Sequence, residues 1–274
     1  MKPGQRVIVR DTAADDFGTA SKHVNPRAVT ETYNYQHRNP LWWLAASLLY
    51  YVLVPPVALV LRVMYGIRIR NRRAVASAGG CYLYGNHTHW VDVFMPFLLG
   101  FPRRAWVVAG PTAVSLPLVR HIVPMVGGVP LNTTVAGKIK FRAALADAVA
   151  HGQVVGIFPE AHDWPYYNGI RDFPDRSFSY PVRTGAPVVP YVVTYRRRRW
   201  RTNRPPHITI TVGQPIRPAD WAGAADPKRF VRDRVYDFMV ATVAEQDSYG
   251  FVEYRQADAA PDHVSPGDTV VPPA

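Results

Sequence analysis

The sequence predicts an α/β architecture: a mostly parallel central sheet flanked by helices, preceded by an N-terminal apolar, membrane-associating helical segment. Three observations lead there. From Cys81 onward, short β-branched or aromatic runs bounded by Gly or Pro alternate with helical stretches. Those stretches carry capping residues at their starts and Gly or Pro near their ends. Ahead of them stands Leu41–Leu61, an uncharged run of 21 residues. Strands that alternate with helices pair in parallel, because each return to the sheet is made through a helix.

Residues 1–40 are polar, mixed in sign and without a dominant period, which reads as a flexible lead-in. The run LWWLAASLLYYVLVPPVALVL follows. As a helix it reaches ~30 Å, about a hydrocarbon core. Some forty residues precede it and no small-residue cleavage site is evident, so it is not read as a secretory signal peptide. Pro55–Pro56 is expected to break the helical ladder two-thirds of the way along. Basic residues flank both ends, Arg27 and Arg38 before, and Arg62, Arg68, Arg70, Arg72 and Arg73 after, whereas a spanning helix concentrates them on one side. Trp42, Trp43, Tyr50, Tyr51 and Tyr65 are amphipathic aromatics suited to headgroup level. A bent, re-entrant or interfacial anchor is therefore favoured over a span, with a buried helical hairpin as the alternative.

Strands are expected at Cys81–Tyr84, Ala105–Ala109, Val154–Phe158, Val188–Thr194 and Ile208–Val212. One helix is expected at Val135–Ala150, with Thr133 or Thr134 as N-cap and Gly152 just past its end. Another runs over Pro227–Gln246, with Asp226 as N-cap and Pro227 in the first turn. No internal repeat is evident. The chain thus divides into a lead-in (1–40), a membrane-associating segment (41–73), an α/β domain (74–256) and a tail (257–274) rich in Ala, Pro, Asp and Gly that reads as disordered.

At 274 residues, 48 % hydrophobic and 19 % charged, the chain is neither a disordered polymer nor a multi-span membrane protein. A single cysteine excludes an intramolecular disulfide framework and a Cys-rich zinc site. The formal net charge of +12 calls for an anionic partner: nucleic acid, a membrane face or a substrate. Arginine carries most of it, since Lys2, Lys22, Lys138, Lys140 and Lys228 are the only lysines.

The chemistry-bearing segment is Tyr84-Gly-Asn-His-Thr-His-Trp-Val-Asp92. A turn from strand into helix here brings Asp92 back beside His87, where a carboxylate fixes the imidazole tautomer and makes the other ring nitrogen a better base. The pair is then the last two members of a serine-protease-like triad, with a substrate hydroxyl in place of the serine. Alone, such spacing equally describes a surface His and a helix-start Asp. It is accompanied by Gly127-Gly-Val-Pro-Leu131, Phe158-Pro-Glu160 and Gly185-Ala-Pro-Val-Val-Pro190.

In this order and at these separations the four blocks resemble the glycerolipid acyltransferase family, PlsC-like enzymes that include lysophosphatidic acid (1-acylglycerol-3-phosphate) acyltransferases. The resemblance covers about residues 80–215. It implies that an acyl thioester, on coenzyme A or acyl-carrier protein, is attacked by a lysophospholipid hydroxyl, with 1-acylglycerol-3-phosphate the implied acceptor. His87 would take the hydroxyl proton and Asp92 would orient the imidazole; Cys81 need not take part. Backbone N–H groups at Gly127 and Gly128 would stabilise the oxyanion, Glu160 would bind the acceptor, and Asn86 would hold the loop. No metal or bound organic cofactor is implied. Membrane lipid and the thioester donor are the expected partners, nucleic acid is not, and the expected location is the cytoplasmic face of the cell membrane, peripheral or monotopic. Trp90, Phe94, Met95 and Phe97 are read either as an acyl groove or as core packing.

The sequence departs from the family pattern where the acceptor phosphate is expected. Glu160-Ala-His-Asp163 places an acid where the family has Gly-Thr-Arg, and Pro130-Leu-Asn-Thr133 lacks the second block's arginine. Arg171 is the first substitute, with Lys138 and Lys140 behind it.

Two other readings compete. His87, His89, Asp92, His162 and Asp163 carry ligand types for zinc or iron, as in a metal-dependent hydrolase. Arg196-Arg-Arg-Arg-Trp-Arg201, with Arg204, suits phosphate contact and base stacking, as in a nucleic-acid-binding protein, or a hairpin tip pressed on anionic lipid.

Overall fold

A computed structural model describes residues 1–9, 15–17, 28–37, 39–115, 119–200 and 203–257. Arg27, Arg38, Arg201 and nearly all of the expected tail lie outside the described residues. In chain order the elements are β1 (Gln5–Val9), α1 (Pro40–Met64), β2 (Arg68–Arg70), α2 (Arg73–Ser77), β3 (Cys81–Gly85), α3 (Met95–Gly100), β4 (Ala105–Ala109), α4 (Val119–Val126), β5 (Gly128–Pro130) and α5 (Val135–Ala150). There follow β6 (Val154–Ile157), α6 (Ser179–Thr184), β7 (Val188–Arg196), β8 (His207–Val212), α7 (Pro218–Trp221), α8 (Pro227–Glu245) and β9 (Val252–Gln256).

A seven-stranded sheet runs β2-β8-β7-β3-β6-β4-β5, and every pair is parallel except β7–β8. Side-chain alternation explains why its central strands read as continuous apolar runs. Cys81 and Leu83 of β3 join Val189, Tyr191 and Val193 of β7 on one face, packed under Tyr50, Val75, Met95 and Leu98 from α1, α2 and α3. Tyr82 and Tyr84 join Val188 and Val192 on the other, packed under Phe141 and Leu145 of α5 and Val231, Val235 and Met239 of α8. Thr134 caps α5 by accepting from the Gly137 N–H at 3.1 Å, and Asp226 caps α8 through the Lys228 and Arg229 N–H groups at 3.1 and 3.2 Å.

The N-terminal third differs from its sequence reading. Residues 1–40 contain a strand: β1 pairs in parallel with β9, and Val7, Val9 and Phe17 form a small core with Trp164, Phe251 and Val252. Strand β2 lies within the expected segment 41–73 yet belongs to the main sheet, paired with β8.

Helix α1 continues through Pro55 and Pro56, with Asn39 Oδ1 accepting from the Leu41 N–H at 2.9 Å to start it. The expected break does not form. Prolines hold φ near the helical value, so the helix continues through them at the cost of two missing N–H donors and of crowding each ring against the carbonyl four residues before it. Nor is α1 a buried hairpin: 17 % of its most apolar stretch is buried. Ala46, Tyr50 and Leu61 form the seam to the domain, where Tyr50 Oη accepts from the Ala105 N–H at 3.0 Å. Leu41, Leu44, Leu48, Leu59 and Val63 are all at least 60 % exposed, leaving a long apolar surface facing outward.

Candidate active site

The site lies beyond the C-terminal end of β3. Gly85 ends that strand beneath the Tyr191 ring, where a Cβ would meet Cζ at 2.1 Å, so the chain passes only because the residue has none. Asn86 then pairs across to β7: its Nδ2 donates to Val193 O at 3.0 Å, and its Oδ1 accepts from the Val193 N–H at 2.8 Å. Both ends of this buried amide are engaged, so Asn86 clamps the loop to the sheet.

His87 to Asp92 form a tight turn. Asp92 is fully buried, and its Oδ2 accepts from the Thr88 and His89 N–H groups at 2.6 and 2.7 Å while facing His87 Nδ1 at 3.4 Å. The imidazole of His87 stacks on Phe158, centroids 4.6 Å apart at 25°. With Nδ1 turned to the carboxylate, Nε2 is the nitrogen left for a substrate proton, and it makes no hydrogen bond among the described residues. Burial depresses the His87 pKa, but the hydrogen bond it donates to Asp92 and the charges of Asp163, Asp92 and Glu160 outweigh it, and the net direction is upward.

Below this turn lies a buried ion pair. Glu160 Oε2 accepts from the His87 N–H at 3.2 Å and from Arg171 Nη2 at 3.0 Å, and Oε1 accepts from the Arg171 N–H at 3.1 Å. Arg171 Nη2 also donates to His162 O, and the guanidinium lies over the Trp164 ring at 4.8 Å. The side chains are 0 % and 5 % exposed. Both were expected on the acceptor; instead each is occupied by the other, and the pair props the His87 backbone from beneath. An arginine eleven residues from a buried glutamate is drawn to it because the glutamate otherwise lacks a countercharge.

The expected oxyanion donors are elsewhere. Strand pairing aligns Leu83 with Gly156, Gly156 with Val107 and Val107 with Gly128. Gly128 is therefore level with a residue four positions before His87 and three strands across, a separation of roughly 19 Å from the strand rise and spacing. The Gly127 N–H donates to Pro124 O at 3.3 Å, and its φ of 104° turns the chain from α4 into β5. Lys138 is exposed on the first turn of α5, after the edge strand, and Lys140 Nζ donates to Glu31 O at 2.8 Å. Neither lysine is drawn to the His87–Asp92 turn.

The metal reading also fails on geometry. His89 Nδ1 accepts from the Val91 N–H at 3.2 Å, so its proton sits on Nε2, 3.1 Å from Tyr166 Oη. This buried ring starts a helical turn, and burial drops its pKa to about 4. Among the described residues no three His, Cys, Asp or Glu side chains are grouped to hold a metal ion. Cys81 is buried and its thiol is pushed up to about 12, which removes it as a nucleophile.

Residues that sequence reasoning missed complete the site. Tyr195 Oη donates to Thr88 O at 2.8 Å, and Phe158 supports the imidazole. Met95 and Phe97 are core, and Trp90 is 52 % exposed against Tyr65, the residue that ends α1. Tyr65 also meets the His89 ring edge-on at 5.1 Å. At the same end Arg196 Nη2 donates to Gly66 O at 2.7 Å and Arg198 Nη2 to Met64 O at 2.8 Å, so two arginines of the basic hairpin cap the end of α1. Trp200 at its tip is 84 % exposed.

Residues 66–194, from the start of β2 through most of β7, match the family model described as Acyltransferase. The match spans just under half of the chain. This stretch holds His87, Asp92, Glu160 and Arg171. The fold is also that of PlsC, the 1-acyl-sn-glycerophosphate (LPA) acyltransferase from Thermotoga maritima: the TM-score is 0.52 at 17 % identity, covering 76 % of this chain and 98 % of that one. No curated protein matches the chain.

Proposed function

We propose that this chain is an acyltransferase that moves a fatty acyl group from a thioester to the hydroxyl of a glycerolipid-type acceptor at a membrane surface. The observation that carries the reading is the His87–Asp92 pair, with Nδ1 facing a fully buried carboxylate at 3.4 Å and Nε2 without a hydrogen bond among the described residues. In this reaction Nε2 takes the proton of the acceptor hydroxyl as its oxygen bonds to the acyl carbon. Collapse of the tetrahedral adduct breaks the C–S bond, and the imidazolium returns its proton to the leaving thiolate, giving an ester and a free thiol. Asp92 stabilises the transient imidazolium, whose charge is further favoured by Asp163 and Glu160. The acyl group passes directly, so no protein nucleophile is needed.

The membrane role rests on α1, whose exposed leucines and valines suit lipid, and on its C-terminal end abutting His89 through Tyr65 beside the exposed Trp200 hairpin. A lipid acceptor would then reach His87 without leaving the surface. Coenzyme A and acyl-carrier protein are both compatible donors, and 1-acylglycerol-3-phosphate is the acceptor that the family resemblance suggests. Incubating the purified chain with labelled acyl-CoA and a panel of lysolipids tests the reading. A lipid that gains a second chain in a His87-dependent manner is expected; transfer at the wild-type rate by His87→Ala refutes it.

A further inference from the structure

The reacting end of the site is rich in acids, and among the described residues no cation is placed for substrate. Asp163 lies next to the dyad: its neighbour Trp164 donates its N–H to His87 O at 3.2 Å, and its own carbonyl accepts from the Phe17 N–H at 3.1 Å. Its Oδ1 is sealed from solvent and has no hydrogen-bond partner. Asp163 and His87 act on each other's charge, and Asp92 and Asp16 add further negative charge around Asp163. Arg171, whose guanidinium acts on Asp163, is spent on Glu160 and His162 O and is 5 % exposed.

We propose that Asp163 receives an uncharged or cationic hydrogen-bond donor of the acceptor, a hydroxyl or an ammonium beside the reacting hydroxyl, and that this position rejects a phosphate monoester. This rests on the acyl-transfer reading above. A buried acceptor oxygen without a donor is a costly vacancy that a substrate O–H or N–H fills. A phosphate there brings a second acceptor and more negative charge against Asp163 and Asp92, with no partner for either. Burial pushes the Asp163 carboxyl up to about 7, and a substrate donor relieves that strain whereas a phosphate adds to it.

The test uses the full chain in mixed micelles with palmitoyl-CoA and three acceptors that differ in one group. These are 1-O-hexadecylglycerol, its 3-amino-3-deoxy analogue and its 3-phosphate, each scored by mass spectrometry for the acylated product. The diol or the amine is expected to exceed the phosphate by at least about tenfold in kcat/KM, the worth of a hydrogen bond to a charged group. Asp163 also acts on the His87 charge, so the readout is the ratio between acceptors: in Asp163→Asn the preference for the favoured acceptor over the phosphate should fall by about tenfold or more. Preference for the phosphate overturns the proposal and leaves the acyltransferase reading standing. An equal loss on all three acceptors in Asp163→Asn also overturns it, since that marks a merely structural residue. No acylated product from any acceptor, together with no His87-dependent thiol release, overturns both.

Discussion

Asp92→Asn separates catalysis from folding at this site. In the native turn three donors converge on Asp92 Oδ2: the Thr88 N–H at 2.6 Å, the His89 N–H at 2.7 Å and His87 Nδ1 at 3.4 Å. An asparagine oxygen has two lone pairs, and the two shorter backbone bonds take both. His87 Nδ1–H is then left without an acceptor, the neutral ring moves its proton to Nε2, and the nitrogen that should accept the substrate proton is blocked. The imidazolium also loses its countercharge. The expected loss is about 10²–10⁴-fold in kcat/KM, or about 3–5 kcal/mol of transition-state stabilisation. Because the backbone bonds persist, unfolding free energy should change by no more than about 1 kcal/mol. Asp92→Ala instead leaves two buried N–H groups unpaired, at about 1–3 kcal/mol each, so it should lose roughly 2–6 kcal/mol of stability as well as activity. Initial rates of thiol release and urea unfolding measure the two effects. The reasoning is refuted if Asp92→Asn works within about threefold of wild type, or if it destabilises as much as Asp92→Ala.

The pH profile follows from the upward shift at His87: a general base must be neutral, so kcat/KM should fall as pH drops through a pKa above 6.5, the ordinary histidine value. Asp163→Asn removes one of the carboxylates that favour the charged ring, and the acid limb should move to lower pH in the same assay. Glu160→Gln leaves Arg171 buried without its countercharge and should cost about 3–5 kcal/mol in urea unfolding, with part recovered in Glu160→Gln/Arg171→Met. Replacing Leu48 and Leu59, both exposed on α1, with Lys removes roughly 3 kcal/mol or more of apolar transfer and should weaken liposome flotation at least about 100-fold; undiminished flotation would show that α1 is not the lipid contact.

The central strands were legible because both faces of each are covered, which turns β3, β6 and β7 into unbroken apolar runs. The two edge strands of the same sheet were not. Strand β2 is Arg-Ile-Arg with both arginines exposed, and β5 is Gly-Val-Pro, a composition that argues against a strand. Each is three residues long and is made extended by its single neighbour, β8 or β4, so the information lies in the partner and not in the segment. The β1–β9 pair joins Gln5 to Val252 across nearly the whole chain, a separation that no local pattern carries. The α5 helix was legible to both ends because its cap is a side chain, Thr134, that the sequence displays.

At the site, the His87–Asp92 turn was legible because its spacing and its chemistry are the same fact. The roles given to Gly127, Gly128 and Arg171 were not, because they depended on register and on competition. Motif order says that a glycine pair follows the dyad; only the alignment of Leu83, Gly156, Val107 and Gly128 shows the pair far from His87. Likewise a sequence shows an arginine near an acidic block but not which acid takes it, and the fully buried Glu160 outbids a substrate phosphate because it has no water to fall back on. This competition also resolves the net charge of +12. The hairpin arginines and the flanks of α1 put positive charge on the outside, where it can meet a lipid surface, while the charges acting most strongly on His87 are the carboxylates of Asp163, Asp92 and Glu160. Attraction to an anionic surface and selection of the acceptor are therefore carried by different residues of opposite sign. A variant that loses surface arginines should bind liposomes poorly with its acceptor preference intact, and Asp163→Asn should do the reverse.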